Sequence, residues 1–351
     1  MSTTKSRIAI IGTGLIGTSI GLNLTARKDR TYEVVGADRD RSHARHAKKM
    51  GAIDREVDSL EEAVENAGLV VIAVPVMACR LILQQLGKVI QPGSIVIDVC
   101  STKADVMRWA EEYLPERVHF VGTHPMAGKE SSGPADAHHD LFHGAGWAVM
   151  PSSSADSEAV SIVLGVIEAM GAEAIWIDAA EHDQFAAAVS HVPLIISVAL
   201  FRMVRDSAGW EDASLLASTG FKDLTRLASG DPTMAKDIMT TNREAVVHWI
   251  GRLQQELATI RQAVELGGQP LKDLFASTQL DRDTYLANPP VRRMPAGVTP
   301  PSAQDAMGQL FVGGLYNKLK EMPARVAIAQ KDDAALRKKL GIPDEPDDEE
   351  L

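Results

Sequence analysis

The sequence predicts a doubly wound α/β domain with a mostly parallel sheet, followed by an all-helical domain. Three observations predict it. From Arg7 to about Asp178, short β-branched runs alternate with amphipathic or Ala-rich stretches, which is the pattern of βαβ units. The first run leads straight into Gly12-Thr-Gly14-Leu-Ile-Gly17, a glycine-rich turn set between a strand and a helix. After about Ala179 the strand pattern stops and a helical period takes over.

The elements follow in order. The predicted strands are Ile8–Ile11, Tyr32–Ala37, Leu69–Val74, Ser94–Val99, Val118–Gly122, Trp147–Met150 and Glu173–Ile177. They are short and apolar, as strands buried on both faces are. Between them Leu15–Thr25, His43–Lys49, Leu60–Asn66, Met77–Val89 and Val106–Tyr113 read as helices. In the second half Glu181–Val204 is one long apolar helix interrupted by Pro193. A proline leaves the carbonyl of Val189 without its helical donor, so a kink beside His191 is expected. Ala213–Leu216, Phe221–Leu227, Met234–Met239 and Arg243–Leu266 continue the helical period. These helices are more apolar than a small domain can bury alone, and a homodimer through them is expected. Residues 287–302 contain five prolines and read as a linker or ordered loop, Met307–Gln330 as one more helical element, and the acidic tail as disordered. The expected division is therefore 1–178, 179–286 and 287–351.

Composition narrows the function classes. The 351 residues are 45% apolar and 24% charged, an ordinary globular balance. Net charge is −11, and −5 without the six acids of Pro343–Leu351. A body this mildly acidic lacks the basic stripe of a nucleic-acid binder. Two cysteines, Cys79 and Cys100, make no disulfide framework and suit a reduced, cytoplasmic setting. MSTTKSR runs into IAIIGTG without the apolar region of a signal peptide, and the apolar stretch Leu69–Cys79 is too short to span a membrane.

The glycine loop carries the first chemistry. Gly12 permits the tight turn, Gly14 lets backbone approach a pyrophosphate, and Gly17 lets helix and strand pack closely. Thr13, Leu15 and Ile16 complete the loop, and the free N–H groups of the helix start suit phosphate oxygens. Asp38 closes the next strand, 26 residues after Gly12. A carboxylate there accepts from a ribose 2′-OH and repels a 2′-phosphate, which favours NAD over NADP; Arg39 beside it is the opposing feature.

In an open α/β sheet, ligands bind at the carboxyl ends of the strands. Those ends carry the glycine loop, Val74-Pro75, Cys100-Ser101-Thr102-Lys103 and Thr123-His124-Pro125. Ser101 and His124 should face one crevice. A histidine is the natural acceptor of a substrate proton during hydride transfer, with an acid limb near an ordinary histidine pKa. Ser101 either shares that hydrogen bond, orients the ring or serves as a helix N-cap. Lys103 is expected to start the next helix on the surface, and Cys100 to be a buried strand-end thiol.

These residues are recognisable together. Thr123-His-Pro-Met-Ala-Gly128-Lys-Glu130-Ser-Ser-Gly133 with Leu141-Phe142, His182-Asp183 with Ser190-His191-Val-Pro193, and Gly220-Phe-Lys-Asp223-Leu-Thr-Arg226 through Asp231-Pro232 to Asn242 resemble the signatures of the prephenate and arogenate dehydrogenases. With the glycine loop the resemblance spans about residues 7 to 265, in the family's order. It implies a Rossmann domain followed by a helical dimerisation domain, and NAD(P)-dependent oxidative decarboxylation of a cyclohexadienol in tyrosine biosynthesis. It further implies His124 as the catalytic histidine, Ser101 as its assistant and Glu130 at the mouth of the site. Arg226 would bind a substrate carboxylate, for which its planar fork is suited, and His191 is the first histidine of the helix motif. No metal is implied, since aromatisation and a neutral imidazole base drive the reaction.

Two positions depart from the family pattern. Leu194 stands where some members, notably prephenate-using ones, carry a second histidine, which brings arogenate or a broader specificity into view. Ala235 stands where many carry tryptophan. His138, His139, Asp140 and His143 are dense enough for a metal site to be considered, but lie in a Gly/Ser/Ala-rich polar stretch. Two other functions compete: a β-hydroxyacid-dehydrogenase-like oxidoreductase, which needs a lysine where this chain has His191, and a non-catalytic NAD-binding sensor.

Overall fold

The computed structural model describes residues 6–28, 30–129 and 132–290. Glu130, the expected helix Met307–Gln330, most of the proline-rich linker and the acidic tail lie outside them.

The chain runs β1 (Ser6–Ile11), α1 (Leu15–Ala26), β2 (Tyr32–Ala37), α2 (Arg41–Lys49), β3 (Arg55–Val57), α3 (Leu60–Val64), β4 (Ala67–Ile72), α4 (Val76–Val89), β5 (Ile95–Asp98), α5 (Ala104–Tyr113) and β6 (His119–Pro125). Two short 3-10 turns lead to β7 (Gly146–Pro151), α6 (Ser157–Ala169) and β8 (Glu173–Trp176). The eight strands form one sheet in the order β3-β2-β1-β4-β5-β6-β7-β8. Strands β1 to β6 pair in parallel, β7 runs antiparallel to β6 with Thr123 opposite Val149, and β8 is parallel to β7. The order reverses between β1 and β4, the switch point where an open sheet forms a ligand crevice.

Alternation along the strands builds two cores. On β1, Ile8 and Ile10 join a cluster with Ile20, Leu24, Phe142 and Val163, while Ala9 and Ile11 join a cluster with Leu83, Trp109 and Phe120. Successive side chains point to opposite faces of a strand, so one continuously apolar run feeds both helix layers.

The second half comprises α7 (Ala179–Ala186), α8 (Val192–Arg205), α9 (Trp210–Leu215), α10 (Thr219–Thr225), α11 (Pro232–Thr241), α12 (Arg243–Leu266) and α13 (Gly268–Ala287). The expected single helix over Glu181–Val204 is thus broken: Ala187–His191 is a π turn, and Pro193 sits in the first turn of α8. Widening the turn accommodates a residue that cannot donate and whose ring would meet the carbonyl of Val189. The residues from Ala179 to Arg205, at a mean hydropathy of 1.8, are long and apolar enough to cross a membrane. Three of their polar side chains, however, are buried and hydrogen-bonded within the protein: His182, Asp183 and His191. The helical half has little core of its own, with Ala187, Ala245 and Val246 at its centre. β3, α6 and α13 had no counterpart among the expected elements. β3 is a three-residue edge, and α13 buries none of its residues, so neither leaves a strong periodic signal.

Candidate active site

The glycine loop joins β1 to α1. Gly12 adopts φ +97°, and a Cβ there would lie 2.3 Å from the carbonyl oxygen of Ala73. A Cβ on Gly17 would lie 1.9 Å from the Gly12 carbonyl oxygen. Both glycines are therefore required by the fold itself. Gly14 is different: no protein atom comes within 4 Å of where its Cβ would be, and as the α1 N-cap it offers no side-chain acceptor. The open space beside it and the unclaimed amides of α1, at Leu15 and Ile16, fit a pyrophosphate. Asp38 braces the loop. Its Oδ2 accepts from Thr13 N at 2.7 Å and from Thr13 Oγ1 at 3.1 Å, and its Oδ1 from Asp40 N at 2.8 Å. Both lone pairs of Oδ2 are thus engaged within the loop, and Oδ1 keeps its second one for a sugar hydroxyl. Val74 and Pro75 lead from β4 into α4, Pro75 as its N-cap.

At the neighbouring strand ends a buried ion pair forms the floor. Lys103 is fully buried, contrary to its expected surface position. Its ammonium pairs with Asp98 and donates to the Thr123 carbonyl at 2.7 Å. Asp98 also accepts from Cys100 N at 2.8 Å and Thr123 N at 3.2 Å. These contacts tie the ends of β5 and β6 together below His124. The Cys100 thiol is buried, and its Cys79 neighbour together with burial raises its pKa well above the usual value, so it is an inert strand-end thiol as expected.

His124 lies near the end of β6, half-buried. Its Nδ1 is 2.9 Å from His182 Nε2, and His182 Nδ1 is 2.8 Å from Asp183 Oδ1. Burial first, and then the charges of His182, Lys103 and His191, hold the His124 ring well below the usual histidine range. The ring is consequently neutral over most of the physiological pH range, at a pKa lower than the unperturbed value expected from sequence. His191, on the π turn, is 1% exposed. Its Nδ1 is 3.2 Å from Asn242 Nδ2, and its Nε2 is buried with no protein partner. Burial pushes its pKa down to about 4. An orphaned buried ring nitrogen costs free energy unless a ligand completes it.

Ser101 follows the end of β5 in the loop before α5, but it is not the N-cap of that helix. Residue 103 holds the cap position without a side-chain bond. The first amides, Lys103 N and Ala104 N, are instead taken by Asp183 at 2.7 and 2.9 Å. In the same way Asp237 on α11 accepts from Met77 N at the start of α4. Thus carboxylates of the helical half cap two helices of the sheet half and seat one on the other. Arg226 is exposed on a 3-10 turn after α10, held against α8 by Ala228 N donating to Ser197 Oγ at 3.0 Å. It stands outside the buried His124–His182–His191 group. His182 and Asp183 appeared in the sequence only as motif residues; no local pattern shows that they meet a strand end 58 residues earlier. Among the described residues, no group of three or more His, Cys, Asp or Glu side chains is placed to hold a metal ion.

A doubly wound sheet with a phosphate-accepting glycine loop and a neutral histidine at the strand ends is the architecture of a nicotinamide-dependent dehydrogenase. The chain belongs to the prephenate dehydrogenase family. The profile of the prephenate dehydrogenase nucleotide-binding domain matches residues 20–176, and that of the prephenate dehydrogenase dimerization domain matches residues 178–278. The prephenate dehydrogenase of Bacillus subtilis is 33% identical over 267 residues, covering 76% of this chain and 72% of that one. The structure of Synechocystis arogenate dehydrogenase superposes with a TM-score of 0.67 at 28% identity, over 80% of this chain and 99% of that one. Prephenate dehydrogenase from A. aeolicus, in complex with hydroxyphenyl propionate and NAD+, gives 0.74 at 26% identity, over 81% and 99%.

Proposed function

We propose that the protein oxidatively decarboxylates prephenate to 4-hydroxyphenylpyruvate, or arogenate to tyrosine, with NAD. The observation that carries the reading is the neutral His124 at the strand ends, on a chain whose two halves match the two domains of this family. Gly12, Thr13, Gly14, Leu15, Ile16 and Gly17 would hold the pyrophosphate, Asp38 the adenosine ribose, and Val74 and Pro75 would line the groove. NAD rather than NADP is favoured because Asp38 places a carboxylate where a 2′-phosphate would be repelled. Bound NAD supplies the hydride acceptor. His124 takes the proton of the ring hydroxyl, Ser101 assists from the adjoining strand end, and loss of the ring carboxylate as carbon dioxide makes the product aromatic. The unpartnered Nε2 of His191 supports its role as a substrate donor or acceptor. Arg226 would bind a substrate carboxylate, and Glu130, outside the described residues, keeps the role near the mouth of the site that the family resemblance implies. Leu194 removes a polar partner from the substrate side, which favours arogenate or a mixed specificity.

The domain division at residue 178/179 rests on the start of α7 at Ala179. A homodimer through the helical half is part of the same reading. Leu215, Leu216 and Leu266 are 84%, 85% and 69% exposed, more apolar surface than a monomer of this kind leaves in water. A cytoplasmic setting suits its two buried free thiols.

Initial rates of NADH formation, with prephenate and arogenate offered separately and each with NAD and NADP, test the reading. Turnover of either dienol supports it, and the preferred dienol reports what Leu194 does. No turnover in all four pairings overturns it in favour of a hydroxyacid substrate or a sensor.

A further inference from the structure

The groups that organise His124 form a chain running from the strand end into the helical half, ending at a carboxylate that is fully engaged. Asp183 Oδ1 accepts from Lys103 N as well as facing His182, and Oδ2 accepts from Ala104 N. His182 and Asp183 are 4% and 5% exposed. A carboxylate only accepts. The neutral His182 ring therefore carries its proton on Nδ1, and its Nε2 then turns a lone pair towards His124. A lone pair there requires His124 to donate from Nδ1, which leaves the lone pair of His124 on Nε2.

We propose that His182 and Asp183 are the positioning residues of the base: they set His124 as the Nδ1–H tautomer, so that Nε2 receives the substrate proton, and they stabilise the imidazolium that results. The proposal rests on His124 being the base of the reaction proposed above. When the hydroxyl O–H bond breaks, its proton moves to Nε2 and its electron pair stays on oxygen. The ring then carries both N–H groups, and the Nδ1–H already points along the chain towards Asp183. The charge facing His124 from another element opposes that state: Lys103 before α5, itself paired with Asp98 of β5; His191 on the π turn adds to it only near or below pH 4, where its ring takes up a proton. Asp183 is the anion placed to offset them through His182. Because the same carboxylate caps α5, the aim of the base depends on how the helical half is seated on the sheet.

The discriminating variant is Asp183→Asn. Its amide nitrogen, facing His182, moves that ring's proton to Nε2, and His124 then carries its own proton on Nε2, where it blocks proton uptake. Enforcing the wrong tautomer in a comparable triad costs about four orders of magnitude in kcat. Here a fall of at least a hundredfold is expected, with KM and the NADH dissociation constant changed less than about threefold. His182→Gln keeps an acceptor for His124 and retains more activity than His182→Leu, which removes it.

Nitrogen-15 spectra of histidine-labelled protein without substrate, with His124 assigned by its loss in His124→Gln, supply a readout independent of turnover. The expected proton is on Nδ1 in the native protein and on Nε2 in Asp183→Asn. A native proton on Nε2, unchanged kcat in Asp183→Asn, or lost kcat with an unchanged tautomer would each overturn the proposal. A native Nδ1 proton that moves in Asp183→Asn, in a protein turning over neither dienol, would uphold the positioning and remove the assigned reaction.

Discussion

Replacing Lys103 with methionine tests whether the buried pair beneath His124 is structural, electrostatic or both. Lys103 and Asp98 are both fully buried, and methionine fills nearly the same volume without charge. The substitution leaves the Asp98 carboxylate in the interior with two backbone donors, Cys100 N and Thr123 N. Breaking one side of a buried pair costs about 3–5 kcal/mol, and the two remaining donors place this case near the lower end. At roughly 1–2 °C per kcal/mol for a chain of this size, the melting temperature should fall by about 3–6 °C. The double variant Asp98→Asn/Lys103→Met removes both charges and should recover most of that loss. The same ammonium is one of the charges that hold His124 down. Without it the imidazolium is easier to form, the His124 pKa rises, and the acid limb of kcat/KM moves to higher pH. Denaturant unfolding of native, single and double variants, with a pH profile of each, reads both effects. A single variant losing less than about 1 kcal/mol, a double variant no more stable than the single, or an acid limb moving to lower pH would refute the reasoning.

Two further outcomes follow from the loop and from the buried histidine. Gly17→Ala drives a Cβ to 1.9 Å from the Gly12 carbonyl oxygen and should destabilise the fold. Gly14→Ala, with open space around it, should leave the melting temperature intact while weakening NADH binding at least tenfold; fluorescence titration and thermal unfolding separate the two. His191, with its pKa pushed down to about 4, takes up a proton on unfolding between that value and its unfolded value of about 6.5. Its folded pKa is the lower one, so stability rises with pH across that window, by roughly 3 kcal/mol in total. His191→Leu should flatten the pH dependence of unfolding there, and an unchanged slope would show that the ring is not buried as a neutral group.

Much of the sheet was legible because its strands are short, apolar and buried on both faces, so composition and spacing alone mark them. The glycine loop and Asp38 were legible for a related reason, since phosphate approach and tight turns admit few residue types at that spacing. The break beside His191 was foreseen from Pro193, although its form, a π turn rather than a bend, was not. Lys103 was misplaced because a lysine near a helix start is ordinarily solvated; only Asp98, five residues away on another element, explains its burial. Ser101 looked like an N-cap because its position suits one, but Asp183 supplies the cap, from 79 residues beyond the Ala104 amide that it accepts from.

By itself the sequence determined the fold class and the family, and it singled out the glycine loop and His124 as candidates, all properties carried by local pattern or by motifs of a few residues. The tertiary structure decided the surroundings of His124: the burial that lowers its pKa and the His182–Asp183 chain that meets its Nδ1. The physical reason is that desolvation, a neighbouring ammonium and a two-ring path to a carboxylate act through space over a few ångströms. They join β5, β6, α5 and α7, whose separation along the chain leaves no periodicity to read.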